Sequence, residues 1–211
     1  MTELADRPAT EPAPTRRRVG GIELNELLTS SAAALLVILL ISEGITILDM
    51  QGLLGPHMFI GLVLIGPVAL KLASTGYRFV RYYTGAPAYV AKGPPHAWLR
   101  ALAPLLVATT VMIFATGVWL LLLGHHSDQV LMLHKVAFIV WSGVFGVHFL
   151  AYLPRAARSL RAAWATTPPR RPRAPGRGVT ALLVATSLCA GLVLALVLLP
   201  HIGAWHRDYG F

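Results

Sequence analysis

The run Leu133-His134-Lys135-Val136-Ala137-Phe138-Ile139-Val140-Trp141-Ser142-Gly143-Val144-Phe145-Gly146-Val147-His148-Phe149-Leu150 decides how the chain is read. It is apolar enough to lie in a bilayer, yet it carries two histidines fourteen positions apart. In a helix that spacing puts both rings on one face, about 21 Å apart along the axis. Phe138, Trp141 and Phe145 fall on the same face between them. An ionisable side chain at membrane depth is costly and usually turns inward to a partner or cofactor. A matching residue is therefore expected on another span at the same depth.

Composition supports the membrane reading. The chain has 211 residues, is 55% hydrophobic and only 13% charged, and has a mean hydropathy of +0.64. A soluble domain of this size needs far more polar surface. The apolar runs are near twenty residues without alternation, which excludes a transmembrane β-barrel pattern. The formal charge of +9 sits almost entirely in the connections, a pattern that fits membrane topology better than nucleic-acid binding. Cys189 is the single cysteine, so no intramolecular disulfide or CxxC site exists. The first apolar run lacks the design of a cleavable signal.

These features predict an all-α integral membrane protein with five spans, near 27–47, 57–77, 102–123, 129–153 and 179–199. Residues 1–21 are expected to be a disordered tail, and 22–154 a four-helix transmembrane bundle. Residues 155–178 are expected to be a basic linker, and 179–211 a peripheral fifth span with a short tail. Pro154 and Pro200 are expected to end the fourth and fifth spans, and Gly66-Pro67 to loosen or kink the second. Ser127 or Asp128 can cap the fourth. Fifteen of the eighteen Lys and Arg residues lie in the N-terminal tail, the 78–101 loop and the 155–178 linker. Cytoplasmic loops carry that excess, so the N-terminus is expected inside a plasma membrane and the C-terminus outside.

The second span supplies the match. His57 opens it and Lys71 follows fourteen positions later. The second and fourth spans run in the same direction, so His57 pairs in depth with His134, and Lys71 with His148. Two imidazoles from facing helices are what axial ligation of a b-type haem requires. Gly44, Gly61 and Gly117 would leave room for a flat macrocycle, and Lys135 could meet a propionate. Lys71 could instead snorkel or make a polar contact with His148 or Tyr152. Glu43 could serve as a proton or quinone-site acid, or form an interfacial cap or salt bridge.

Paired histidines fourteen apart on parallel spans resemble the diheme cytochrome b core of quinone-linked complexes. The run Gly55-Pro56-His57-Met58-Phe59-Ile60-Gly61, with Lys71-Leu72-Ala73-Ser74-Thr75-Gly76-Tyr77-Arg78-Phe79, Leu133-His134-Lys135 and Val147-His148, is also similar to a group of actinobacterial multi-pass proteins with such a bundle. The resemblance covers about residues 27 to 153. It implies His57 and His134 as ligands of one haem b near the outer face. It also implies electron transfer between a quinone or membrane partner and an external redox partner protein. At the inner level Lys71 stands where that pattern has a histidine, and only a neutral lysine amine could ligate iron.

Other readings remain open on the residues alone. Histidines near helix ends are often simply solvated. His125, His126, His201 and His206, with His57 and His134, could handle copper, zinc or nickel. A haem-free structural subunit is a further alternative. A transporter would want a central polar pathway, for which few residues are available. No Walker loop, dinucleotide fingerprint, HExxH or Ser-His-Asp set supports a hydrolase or NTPase.

Overall fold

A computed structural model of the protein describes residues 21–93, 97–123, 127–165 and 176–209. Among them the chain forms seven helices and no strand: α1 (Gly21–Leu48), α2 (Met50–Tyr83), α3 (Pro87–Ala91), α4 (Ala97–Leu123), α5 (Asp128–Ala165), α6 (Arg177–Val197) and α7 (Leu199–Tyr209). Five segments are long and apolar enough to cross a membrane: α1, α2, α4, α6 and the Asp128–Pro154 part of α5. The all-α, five-span expectation is met. The expected tail, His96, His125 and His126 fall outside the described residues, as does much of the 155–178 linker.

Each span except α6 is several residues longer than its apolar run suggested. A helix pairs its own backbone groups, and continuing it past the hydrocarbon avoids presenting bare N–H and C=O groups to lipid. The 78–101 connection is accordingly mostly helical, with a short turn at 84–86. Asp49 alone separates α1 from α2, and its carboxylate accepts the Gly52 N–H at 3.1 Å. Ser127 caps α5 as expected, its Oγ accepting the Val130 N–H at 3.3 Å.

Pro154 acts differently from expectation, whereas the fifth span does end just before Pro200. Pro154 does not end its helix, because α5 continues to Ala165. Pro67 is fully buried in α2 without breaking it. The one backbone break inside α2 is at Leu53 (φ −115°, ψ 16°). Pro56 explains that position: its ring clashes with the carbonyl of Gly52, and the distortion is taken up next door. At the far end α6 stops at Leu198, and the expected short tail is the helix α7.

Packing divides the molecule into two groups. α2 lies along α1 and α6, and α4 lies along α5, while a thinner seam joins α2 to α4. Among the long helices α6 touches α1 and α2, and it packs along α2 as extensively as α1 does. Its contact with α2 is backbone on backbone. A Cβ on Gly66 would collide with the Ser187 carbonyl oxygen, and one on Gly191 with the Val63 carbonyl oxygen. Pro67 has no N–H to offer Val63, so that carbonyl lacks its ordinary helical donor. Gly191 lets α6 approach it closely enough for a Cα–H contact. Ala195, Leu62, Val63, Leu121 and Ile202 of α7 extend this seam into the buried core.

Candidate functional site

α5 packs closely only on α4. It therefore stands apart from α2, although these are the two helices that carry the depth-matched residues. Two levels lie along that separation. The upper level, near the α1–α2 turn, holds His57 and His134. The lower level holds Lys71 and His148. The fourteen-residue spacing thus sets two separate levels along each of the two helices.

At the upper level the hydrogen bonds fix the chemistry of each ring. The Thr46 hydroxyl donates to the Glu43 carbonyl at 2.6 Å, so its proton is committed. Its oxygen lies 3.1 Å from His57 Nδ1 and must accept. The carboxylate Oε1 of Glu43 also lies 3.0 Å from that nitrogen and can only accept. Nδ1 of His57 is therefore the protonated nitrogen, and in the neutral ring Nε2 carries a free lone pair.

His134 repeats this logic from another helix. The Thr116 hydroxyl donates to the Met112 carbonyl at 2.7 Å. Its oxygen then accepts from His134 Nδ1 at 2.9 Å. Again Nε2 is the nitrogen left for a ligand. Metal-bound histidines are oriented in this way, with the far ring nitrogen donating to a fixed acceptor.

The glycines near this level make room for the site's own side chains. A Cβ on Gly61 would stand 3.4 Å from Glu43 Oε1, and one on Gly117 would stand 3.2 Å from His134 Cε1. Gly44 borders open space. Lys135 is exposed on a neighbouring face of α5. One oxygen of Glu43, Oε2, is buried with no partner.

The lower level is built differently. Lys71 Nζ donates to the Thr29 carbonyl of α1 at 2.9 Å. Thr29 Oγ1 donates to Ser74 Oγ at 3.1 Å, and Ser74 closes the cluster on the Lys71 carbonyl. The ammonium is thus turned toward α1 and is not presented as a free ligand. His148 has a buried Nδ1 without a partner, and its ring tilts against Tyr152 with centroids 4.9 Å apart.

Between the levels, Trp141 donates from Nε1 to Thr110 Oγ1 of α4 at 2.9 Å. Its ring stacks on Phe145 at 4.7 Å, and Phe145 stacks on Phe149 at 5.8 Å. This ladder is tied to α4 through Trp141, with Trp141 and Phe145 half-buried and Phe149 exposed. His201 is exposed. Among the described residues no three His, Cys, Asp or Glu side chains converge on a metal position.

Sequence reading found the histidines and missed the threonines that orient them. Thr46 precedes His57 by eleven positions and Thr116 precedes His134 by eighteen, so neither spacing signals a pair. The available signal was depth: Thr116 is a hydroxyl inside the apolar run Met112-Ile113-Phe114-Ala115-Thr116-Gly117, beside the glycine that admits the ring. No family model matches the chain, and neither a curated protein nor a solved structure matches it.

Proposed function

We propose that this is a membrane electron-transfer protein of the b-type cytochrome kind. It would hold one haem b between α2 and α5 near the outer face and link a quinone or membrane redox partner to an external one. The observation that carries the reading is the pair of pinned imidazoles. Two rings at one height, from helices that do not pack on each other, each have Nδ1–H committed to a threonine and Nε2 left over. That donor set suits a low-spin haem iron, and the bound group supplies a one-electron couple.

The chain's own contribution is positioning. Thr46, Glu43 and Thr116 hold the ring planes and the tautomer, which lowers the ordering cost of ligation. The apolar spans exclude water from the level. The charge asymmetry of the connections supports an N-terminus on the cytoplasmic side of the plasma membrane and a C-terminus outside.

The test is the visible spectrum of the purified protein with haem quantification. A reduced b-type band is expected in the wild type and lost in both His57→Ala and His134→Ala. Stoichiometric copper or zinc without a Soret band would replace this reading with metal handling by the same histidines. Neither haem nor metal would leave a structural subunit.

A further inference from the structure

His57 and His134 are held by the same kind of hydroxyl but not by the same charge. The Thr116 oxygen that faces His134 Nδ1 is neutral. His57 Nδ1 faces the Thr46 oxygen at 3.1 Å and, in addition, Glu43 Oε1 at 3.0 Å. The other described ion pairs, those of Glu26 with Arg78 and Lys92, are half-exposed, whereas the Glu43 and His57 side chains are only 14% and 20% exposed. Water therefore screens the Glu43–His57 contact less.

The hydrogen bonds show that Glu43 meets the ring as a carboxylate. A proton on Oε2 would be buried without an acceptor. A proton on Oε1 would make Nδ1 the acceptor and set its lone pair against the Thr46 oxygen, whose own proton goes to the Glu43 carbonyl. With Nδ1 protonated and the carboxyl ionised, both contacts are matched. Oε2 still has no donor among the described residues, so the anion rests on the His57 N–H. An anion so sparsely bonded in an apolar span is stabilised by positive charge across the ring, at Nε2. A strong acceptor at Nδ1–H also raises the basicity of Nε2. Both effects favour the more positive state of a centre bound there.

We propose that Glu43 sets the redox balance of the centre at His57, holding it toward its oxidised state. The inference rests on the haem reading and adds to it a positioning residue that acts through a ligand without touching iron. A b-type centre with two neutral imidazoles carries one formal positive charge when oxidised and none when reduced. One electron taken from a reductant thus removes the charge that the Glu43 carboxylate faces. Glu43 accordingly lowers the potential and makes the reduced protein the stronger electron donor.

A spectroelectrochemical titration of the purified full chain, with haem quantified on the same sample, tests this. Glu43→Gln keeps the shape and an acceptor oxygen but removes the charge, while Glu43→Asp keeps the charge and shortens the reach. Glu43→Gln is expected to lower the preference for the ferric over the ferrous state about tenfold, which raises the midpoint by about 59 mV for one electron. Glu43→Asp is expected to raise it by less. A residue that only braces the ring gives the opposite order, because glutamine is the closer replacement in shape.

An unmoved midpoint in Glu43→Gln overturns the proposal, as does an equal or larger shift in Glu43→Asp. Haem lost from Glu43→Gln and kept by Glu43→Asp supports the charge, whereas the reverse order, or loss from both alike, ends it. A wild type without haem ends the haem reading and this inference together. Haem present with an unmoved midpoint ends this inference alone.

Discussion

The two levels of the α2–α5 separation share their spacing but differ in how they are finished. At the upper level both rings are tied through Nδ1 to hydroxyls whose protons are already spent. At the lower level one partner is turned toward α1 and the other keeps an orphaned nitrogen. A fourteen-residue repeat is enough to set two groups at equal depth. It does not decide what either group is ready to do. That depends on acceptors contributed by α1 and α4, which tie both rings of the upper pair through Nδ1 and leave His148 Nδ1 of the lower pair without a partner.

The sharpest way to break this comparison is to remove one ring from each level. His57→Ala or His134→Ala is expected to abolish the reduced b-type band, and His148→Ala to leave it, as read by haem stoichiometry in detergent. Loss of the band in all three would mean that the levels are not distinct. Next in size is the scaffold that sets α2. Gly191→Val drives a branched side chain into the Val63 carbonyl and is expected to cost about 1–3 kcal/mol or more. A lowered midpoint in a detergent-denaturation titration would record it.

Removing an orienting hydroxyl should matter less than removing a ring. Thr116→Val removes the hydroxyl that accepts from His134 Nδ1 and is expected to weaken haem retention about 10–100-fold. Thr46→Val should do less, because Glu43 Oε1 still meets the same nitrogen of His57. Haem transfer to an apo-acceptor, timed for both variants, would sharpen or reverse that order. Smallest is the rim: Glu26→Gln breaks half-exposed pairs with Arg78 and Lys92 and should change stability by less than about 1 kcal/mol.

Much of this architecture was legible in the chain, for definite reasons. Hydrocarbon thickness imposes run length, so the five spans are visible as apolar stretches, and period 3.6 sets His57 with Lys71 and His134 with His148. The proline positions were not legible in the same way. Pro154 looks like a stop and Pro67 like a kink, but a buried or interfacial helix can lose one hydrogen bond and continue, while the actual break falls at Leu53 because of Pro56. The close fit of Gly66 and Gly191 was hidden because glycine in a membrane helix has many uses. The orienting threonines were hidden because they lie on other helices, where only tertiary placement reveals them.

The Val63 carbonyl has a consequence for biogenesis. Pro67 deprives it of a donor within its own helix, and the surface that covers it belongs to α6, made more than a hundred residues later. Until the last span emerges from the ribosome, that oxygen faces lipid or a chaperoning neighbour. A nascent chain stalled before residue 177 would thus expose a polar flaw in the middle of its second span, a natural mark for membrane quality control.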